Sequence, residues 1–128
     1  MLNNDGVKQT KMTAPRQILA NVELQSSVGC IVPAELGVAV GGKKIAKAGT
    51  PINIDLMNVQ ASAKAVVEGT PMNAVLLHDV DVTDGTKNGT ALVFGFVNVS
   101  RVDTDIATAI TKARAIEGAS NLLTFMKL

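Results

Sequence analysis

With 128 residues, the chain is long enough for one domain with a real hydrophobic core and too short for two ordinary ones. Hydrophobic residues make up 47% of it but aromatics only 2%, with no Trp or Tyr, so the core must be built from Val, Ile, Leu, Ala and Met, and the stacking platforms that single-stranded nucleic acid and many sugars require are missing. Twelve basic against eleven acidic residues leave a net charge of +1, which gives no overall field toward nucleic acid or an anionic membrane.

Residues 1–16, "MLNNDGVKQTKMTAPR", are polar, carry no period and end beside a proline. They are expected to form an extended arm outside the core, ordered on a partner or not at all, with residues 17–128 as a single β-rich domain. They contain no apolar signal-peptide core, and no run in the chain approaches the roughly 18 apolar residues of a membrane span, so a soluble protein made in the cytoplasm is expected. The next segment, "QILANVELQ", places Ile18, Ala20, Val22 and Leu24 on one side and mostly polar residues on the other, the alternation of a strand with one wet face.

Short apolar pieces broken by turn residues follow: "VGCIV" before Pro33, "LGVAV" before Gly41-Gly42, "KKIAKA" before Gly49-Thr50-Pro51, and "INIDLM" after it. Gly and Pro recur before a helix could reach three turns, so these are predicted strands. Cys30 excludes an intramolecular disulfide and a thiolate cluster; in its apolar run, with no His or basic neighbour in sequence, it reads as a buried structural thiol. Gly41-Gly42 lacks the spacing of a nucleotide-binding loop. Residues 60–67, "QASAKAVV", stay open between helix, for the alanines, and a strand end, for the valines.

The stretch Leu76–Val99, "LLHDVDVTDGTKNGTALVFGFVNV", concentrates a histidine, three aspartates and two glycine turns. As a calcium loop it fails: with Asp79 and Asp81 at the first and third positions, Asp84 displaces the required glycine and Thr90 stands where the bidentate Glu belongs. Asp79 and Asp81 share a face of a predicted strand, but a glycosidase carboxylate pair would also want sugar-binding aromatics. His78 is the sole histidine, which excludes a His-rich metal site within one chain, and it reads as a surface or satisfied residue. A hairpin accounts for more: a strand buried on both faces at Val75–Leu77 that emerges into water by Val82, a turn at Thr83–Gly89 carrying Asp-Gly and Asn-Gly, and a return strand "ALVFGFVNV" in which Gly95 marks a bulge or a close backbone approach. On this reading the aspartates are the solvated end of a hairpin. No catalytic, cofactor or metal constellation emerges, and the chain is read as a non-enzyme.

Near the other end, Ile106, Ala109, Ile110, Ala113 and Ile116 recur at helical spacing, which predicts an amphipathic helix over about 104–117, capped by Asp103 or Thr104 and ended by Gly118. The tail "NLLTFMKL" then holds Leu122, Leu123, Phe125, Met126 and Leu128, which need cover from the domain or from a neighbouring subunit.

The order "KKIAKAGTPINIDL" followed by "PMNAVLLHDVDVTDGTKNGTALVFGFVNVSRV" resembles the head decoration (capsid cement) proteins of tailed bacteriophages. That family has a G-[VI]-L-x-x-D-V-D-x-T strand, a polar turn and a G-x-V-[ND] strand before a short terminal helix. Val75-Leu76-Leu77, Asp79 through Thr83 and Gly95 through Asn98 stand in those places, with Ala74 where the family often has Gly. The resemblance covers about residues 40–117. "KKIAKAGTPINIDL" is also similar to the bend of antifreeze-like sugar-binding domains, which share a β-clip architecture. Together these imply a mainly β (α+β) fold, a small β-clip or β-tulip-like domain with a C-terminal helix and an N-terminal arm.

The function implied is that of a structural virion protein on the outer surface of the expanded capsid. Its partner would be the major capsid protein and its assembly a homo-oligomer, a trimer first; no cofactor, nucleic acid or membrane is implied. The arm would reach the capsid through Met12 and Pro15 as apolar anchors and Lys8, Lys11 and Arg16 for capsid carboxylates. A head fibre or surface adhesion protein is the alternative, followed by a carbohydrate-binding β-clip module, which the missing aromatics disfavour.

Overall fold

The computed structural model describes residues 17–128. In chain order it runs β1 (Ser26–Val32), a 3-10 turn (Ala34–Leu36), β2 (Val38–Val40), β3 (Lys43–Ala46), β4 (Pro51–Asn53), β5 (Lys64–Ala65), β6 (Ala74–Leu76), β7 (Val80–Asp81), β8 (Lys87–Asn98), a second 3-10 turn (Val99–Arg101), α1 (Thr104–Arg114) and β9 (Leu123–Met126). The fold is therefore mainly β, with one α-helix among the described residues, as the spacing of turn residues predicts. No helix among them is long and apolar enough to cross a membrane.

The long strand β8 organises the larger sheet. It pairs antiparallel with β1, from Ser27↔Leu92 to Val32↔Lys87, and with β6, through Val75↔Leu92 and Leu76↔Ala91. β6 continues to β4 and β4 to β5, while β9 joins β8 in parallel, Leu123↔Gly95 to Met126↔Asn98. A second antiparallel sheet takes the order β2-β3-β7.

Successive residues of a strand point to opposite faces, and this pair of strands is buried on both. Val75 and Leu92 enter a core with Ile18, Met72, Ile106 and Ile110 from the α1 side. Their neighbours Leu76 and Ala91 enter a second core with Val32, Ala46, Ile52 and Val82. The apolar run at Ala74–Leu77 is thus explained: all four residues are buried, and each large one contributes about 1.5–3 kcal/mol of transfer free energy. Asn98 is a buried polar residue at the end of β8, and its Oδ1 accepts the N–H of Ser100 at 3.0 Å and of Leu128 at 3.4 Å. It starts the second 3-10 turn and holds the end of the chain against it.

Several expected elements fall differently. Residues 17–25 are not a strand. Ile18 and Leu19, consecutive in sequence, are both buried, and only Leu19 forms a bridge, to Val97. The Asn21 side chain then accepts the N–H of Glu23 and of Leu24, at 2.9 and 3.1 Å, and this local alternative to a ladder turns Val22 and Leu24 out to solvent.

The expected hairpin is also rearranged. Its first arm divides between two sheets, with β6 on β8 and β7 on β3. The tight turn closes at 82–85, where the Gly85 N–H reaches the Val82 carbonyl at 3.1 Å. Asn88-Gly89 lies inside β8, opposite Ile31 and Cys30. Glycine stands there because a Cβ would lie 2.7 Å from Val32 Cγ2. Gly41 and Gly42, by contrast, form the two-residue turn between β2 and β3, with φ of 55° and 83°, both in the left-handed region that this hairpin turn demands.

Near Gly95 both expected features occur. The β1–β8 register slips between Ser26 and Ser27, and a Cβ on Gly95 would lie 3.3 Å from Gln25 Cβ. Residues 60–67 contain β5 and no helix. The helix stops at Arg114 rather than near 117, because the Ala115 and Ile116 N–H groups fall back on the Lys112 and Ala113 carbonyls in a tightened last turn. Part of the apolar tail finds cover within the chain: Leu123 is buried and Phe125 packs on the α1-side core, while Leu122 and Leu128 stay exposed.

Candidate interaction surface

The titratable residues that drew attention in the sequence are spent on local structure. Asp79 Oδ1 accepts the Ala48 N–H at 2.7 Å, which ties the bend after β6 to the segment before β4. Asp81 Oδ1 accepts the Thr83 N–H at 2.9 Å, and the Thr83 hydroxyl oxygen accepts the Lys44 N–H at 2.8 Å, closing β7 onto β3. Hydrogen bonding from Thr83, side chain first and backbone second, holds the Asp81 carboxyl below its usual range, with smaller help from Lys43 and Lys87. Asp79 and Asp81 therefore serve different backbone partners.

His78 is half-buried, with a buried Nδ1 that has no hydrogen-bond partner among the described residues. No group of three or more His, Cys, Asp or Glu there could hold a metal ion. Cys30 is buried, and desolvation raises its thiol pKa, away from the reactive thiolate.

One ionic cluster was not legible from spacing. Lys47 Nζ lies 3.1 Å from Asp103 Oδ2 and 3.2 Å from Asp105 Oδ2, which joins the loop before β4 to the first turn of α1. Asp103 thus faces Lys47 as well as standing at the N-cap, and both carboxylates complement the positive end of the helix. The hydrogen bonds to Asp103 and then Asp105 raise the Lys47 pKa. Its contribution to stability is present below the ordinary lysine value and is lost only as pH rises through the still higher folded-state value. Nothing in the sequence marks a pairing between residues so far apart.

The domain also leaves aliphatic side chains exposed. Met57 is 95% exposed and Leu56 55%, at the tip of the loop joining β4 and β5. Asp55 shapes that tip: its Oδ1 accepts the Met57 N–H at 3.0 Å and its carbonyl accepts the Asn58 N–H at 2.9 Å. The sequence reading ran a strand through "INIDLM", but β4 ends at Asn53; the turn-forming Asp55 and Asn58 around Leu56-Met57 were the available signal. On the second sheet, edge strand β2 exposes Val38, Ala39 and Val40 alike, beside Lys43 and Lys44 of β3. The arm residues Lys8, Lys11, Met12, Pro15 and Arg16 lie outside the described residues.

Compared with models of known protein families and with curated proteins, the chain matches none.

Proposed function

We propose that this chain is a structural binding protein of a phage head, which attaches to the outer surface of the expanded capsid and cements neighbouring capsomers. The observation that carries a binding role is the exposed aliphatic loop tip at Leu56-Met57, with the aliphatic edge strand Val38–Val40. Met57, 95% exposed, stands beside the half-exposed Leu56 on a loop braced by hydrogen bonds, and a partner seated on this tip would bury both side chains together. The assignment to a phage head rests on the resemblance over residues 40–117. Its motif residues fall on and between β6, β7 and β8, where Val75–Leu77 build the two cores, Asp79 ties the bend after β6 to the segment before β4, Asp81 and Thr83 brace the second sheet, and Asn98 closes the end of β8.

Such a protein works by number rather than by single-site strength. As an oligomer, a trimer first, each subunit would make a modest contact with the major capsid protein, and the first engagement would make the others intramolecular. The test is co-sedimentation with expanded heads that lack the protein, titrated to saturation. Saturable binding at a fixed number per head, absent on unexpanded heads and weakened by Met57→Ser, is expected. Failure to bind at concentrations well above micromolar refutes the reading and favours a carbohydrate-binding module.

A further inference from the structure

A groove of about 630 Å³ lies between α1 and the C-terminal strand β9. Its apolar lining includes Val102 and Ile110, both buried in the α1-side core, with Ala107 and Phe125 packed against that core. Its charged lining is of one sign. Among the described residues, Arg114, at the end of α1, and Lys127, just after β9, are the charged residues that line it, and no carboxylate does. The nearby acidic residues Asp103 and Asp105 direct carboxylate oxygens at Lys47. Arg114 holds its guanidinium 5.5 Å from the Phe125 ring centroid, so one of the cations is set against the groove's aromatic wall.

We infer that this groove docks an acidic segment of a partner protein, one that presents aliphatic side chains to the floor and carboxylates to Arg114 and Lys127. Charge complementarity selects the occupant: a basic segment would meet two exposed cations with no counter-charge in the lining, whereas each carboxylate of an acidic one gains a partner. The helix-and-strand wall supplies a fixed apolar floor, which favours a peptide-sized ligand over a flat surface contact. The inference rests on the proposed function only for the partner's identity, an acidic stretch of the capsid protein.

The probe is a synthetic peptide of about twelve residues with leucines at helical spacing and glutamates between them, its ends blocked, beside a matched peptide carrying lysines for glutamates. Binding to the full chain is followed by NMR titration. The acidic peptide is expected to shift resonances of Ala107, Ile110 and Phe125, and the basic peptide to leave them in place. Arg114→Glu with Lys127→Glu, both exposed positions, should weaken the acidic peptide roughly tenfold in a protein that stays folded, with a small fall in melting temperature from the lost Phe125 contact and the anion at the end of α1. Ala107→Phe should block the groove without any change of charge.

Equal binding of both peptides, or unchanged binding to the charge-reversed variant, overturns the inference. So does a groove already filled by a second copy, seen as a sedimenting oligomer whose Ala107 and Phe125 resonances do not respond to the peptide. The same variants on expanded heads separate the two readings. If wild type and charge-reversed protein decorate heads equally well, the groove assignment falls and the decoration reading stands. If heads are never bound while the acidic peptide still occupies the groove, the decoration reading falls alone.

Discussion

Substitution of Gly89 by alanine tests how tightly neighbouring side chains close over β8. The added Cβ would stand 2.7 Å from Val32 Cγ2, 3.2 Å from Val80 Cγ2 and 3.4 Å from Leu76 Cδ1. Val32 is completely buried and β-branched, so it has neither space nor an alternative rotamer through which to retreat. Forcing a methyl group into such a site costs about 1–3 kcal/mol. For a domain of this size that lowers Tm by roughly 4–12 °C, taking about 4 °C per kcal/mol.

Gly29→Ala is the control. Gly29 belongs to the same strand pair, opposite Thr90, and a Cβ there meets nothing within 4 Å, so alanine is expected to be neutral or to stabilise by up to about 1 kcal/mol. A third protein, Gly89→Ala with Val32→Ala, tests the contact itself: removing the Val32 methyl groups makes room for the new Cβ, so the pair should cost less than the sum of the singles by about 1 kcal/mol. Urea denaturation followed by far-UV circular dichroism measures wild type, the three single variants Gly89→Ala, Gly29→Ala and Val32→Ala, and the double variant. If Gly89→Ala lies within about 0.5 kcal/mol of wild type, or Gly29→Ala costs as much, the packing of Val32 over this position is not what requires glycine in β8.

Asn98→Ala leaves the Ser100 and Leu128 N–H groups without their acceptor and is expected to cost about 0.5–1.5 kcal/mol, with faster amide exchange at both positions; unchanged exchange would count against the role assigned to Asn98. Asp81 has a depressed carboxyl pKa, so its contribution to stability is present above the ordinary value of 3.8 and is lost as pH falls through its lower folded value. Asp81→Asn should therefore remove part of the acid-limb fall in Tm, and a variant whose acid limb superimposes on wild type would contradict the Thr83 explanation. Cys30, buried with a raised thiol pKa, should react with a disulfide reagent only after denaturant is added; labelling of the native protein at the rate of a free thiol would contradict its burial.

The elements that could be read from the sequence are those whose cause is local. Turn residues at short intervals require short strands whatever lies across from them, and a mainly β fold follows. Ile106, Ile110 and Ala113 recur at helical spacing, and all three are buried under α1. Ala74–Leu77 has no polar residue to show to water, so burial on both faces was implied before any partner was known. Gly41-Gly42 turns the chain through its own positive φ angles. Even Cys30 was decided by its neighbours in the chain.

The tertiary structure alone decided where equal local signals went. Asp84-Gly85 and Asn88-Gly89 are both good turn formers, yet the first turns and the second is drawn into β8, because β1 offers it a ladder and Val32 leaves no room for a side chain there. One apolar-to-polar run was divided between two sheets because β8 pairs with β6 whereas β3 pairs with β7, and Asp79 holds the bend between them through an N–H thirty-one residues away. The alternation in "QILANVELQ" lost to an asparagine that satisfied the backbone more cheaply than a neighbouring strand could. Met57, Lys47 and the groove beside α1 likewise owe their character to what the rest of the chain covers or leaves open. Periodicity and turn chemistry act over a few residues and are written in order along the chain. Partner choice, burial at a given site and the sign of charge in a cleft depend on residues that only the fold brings together.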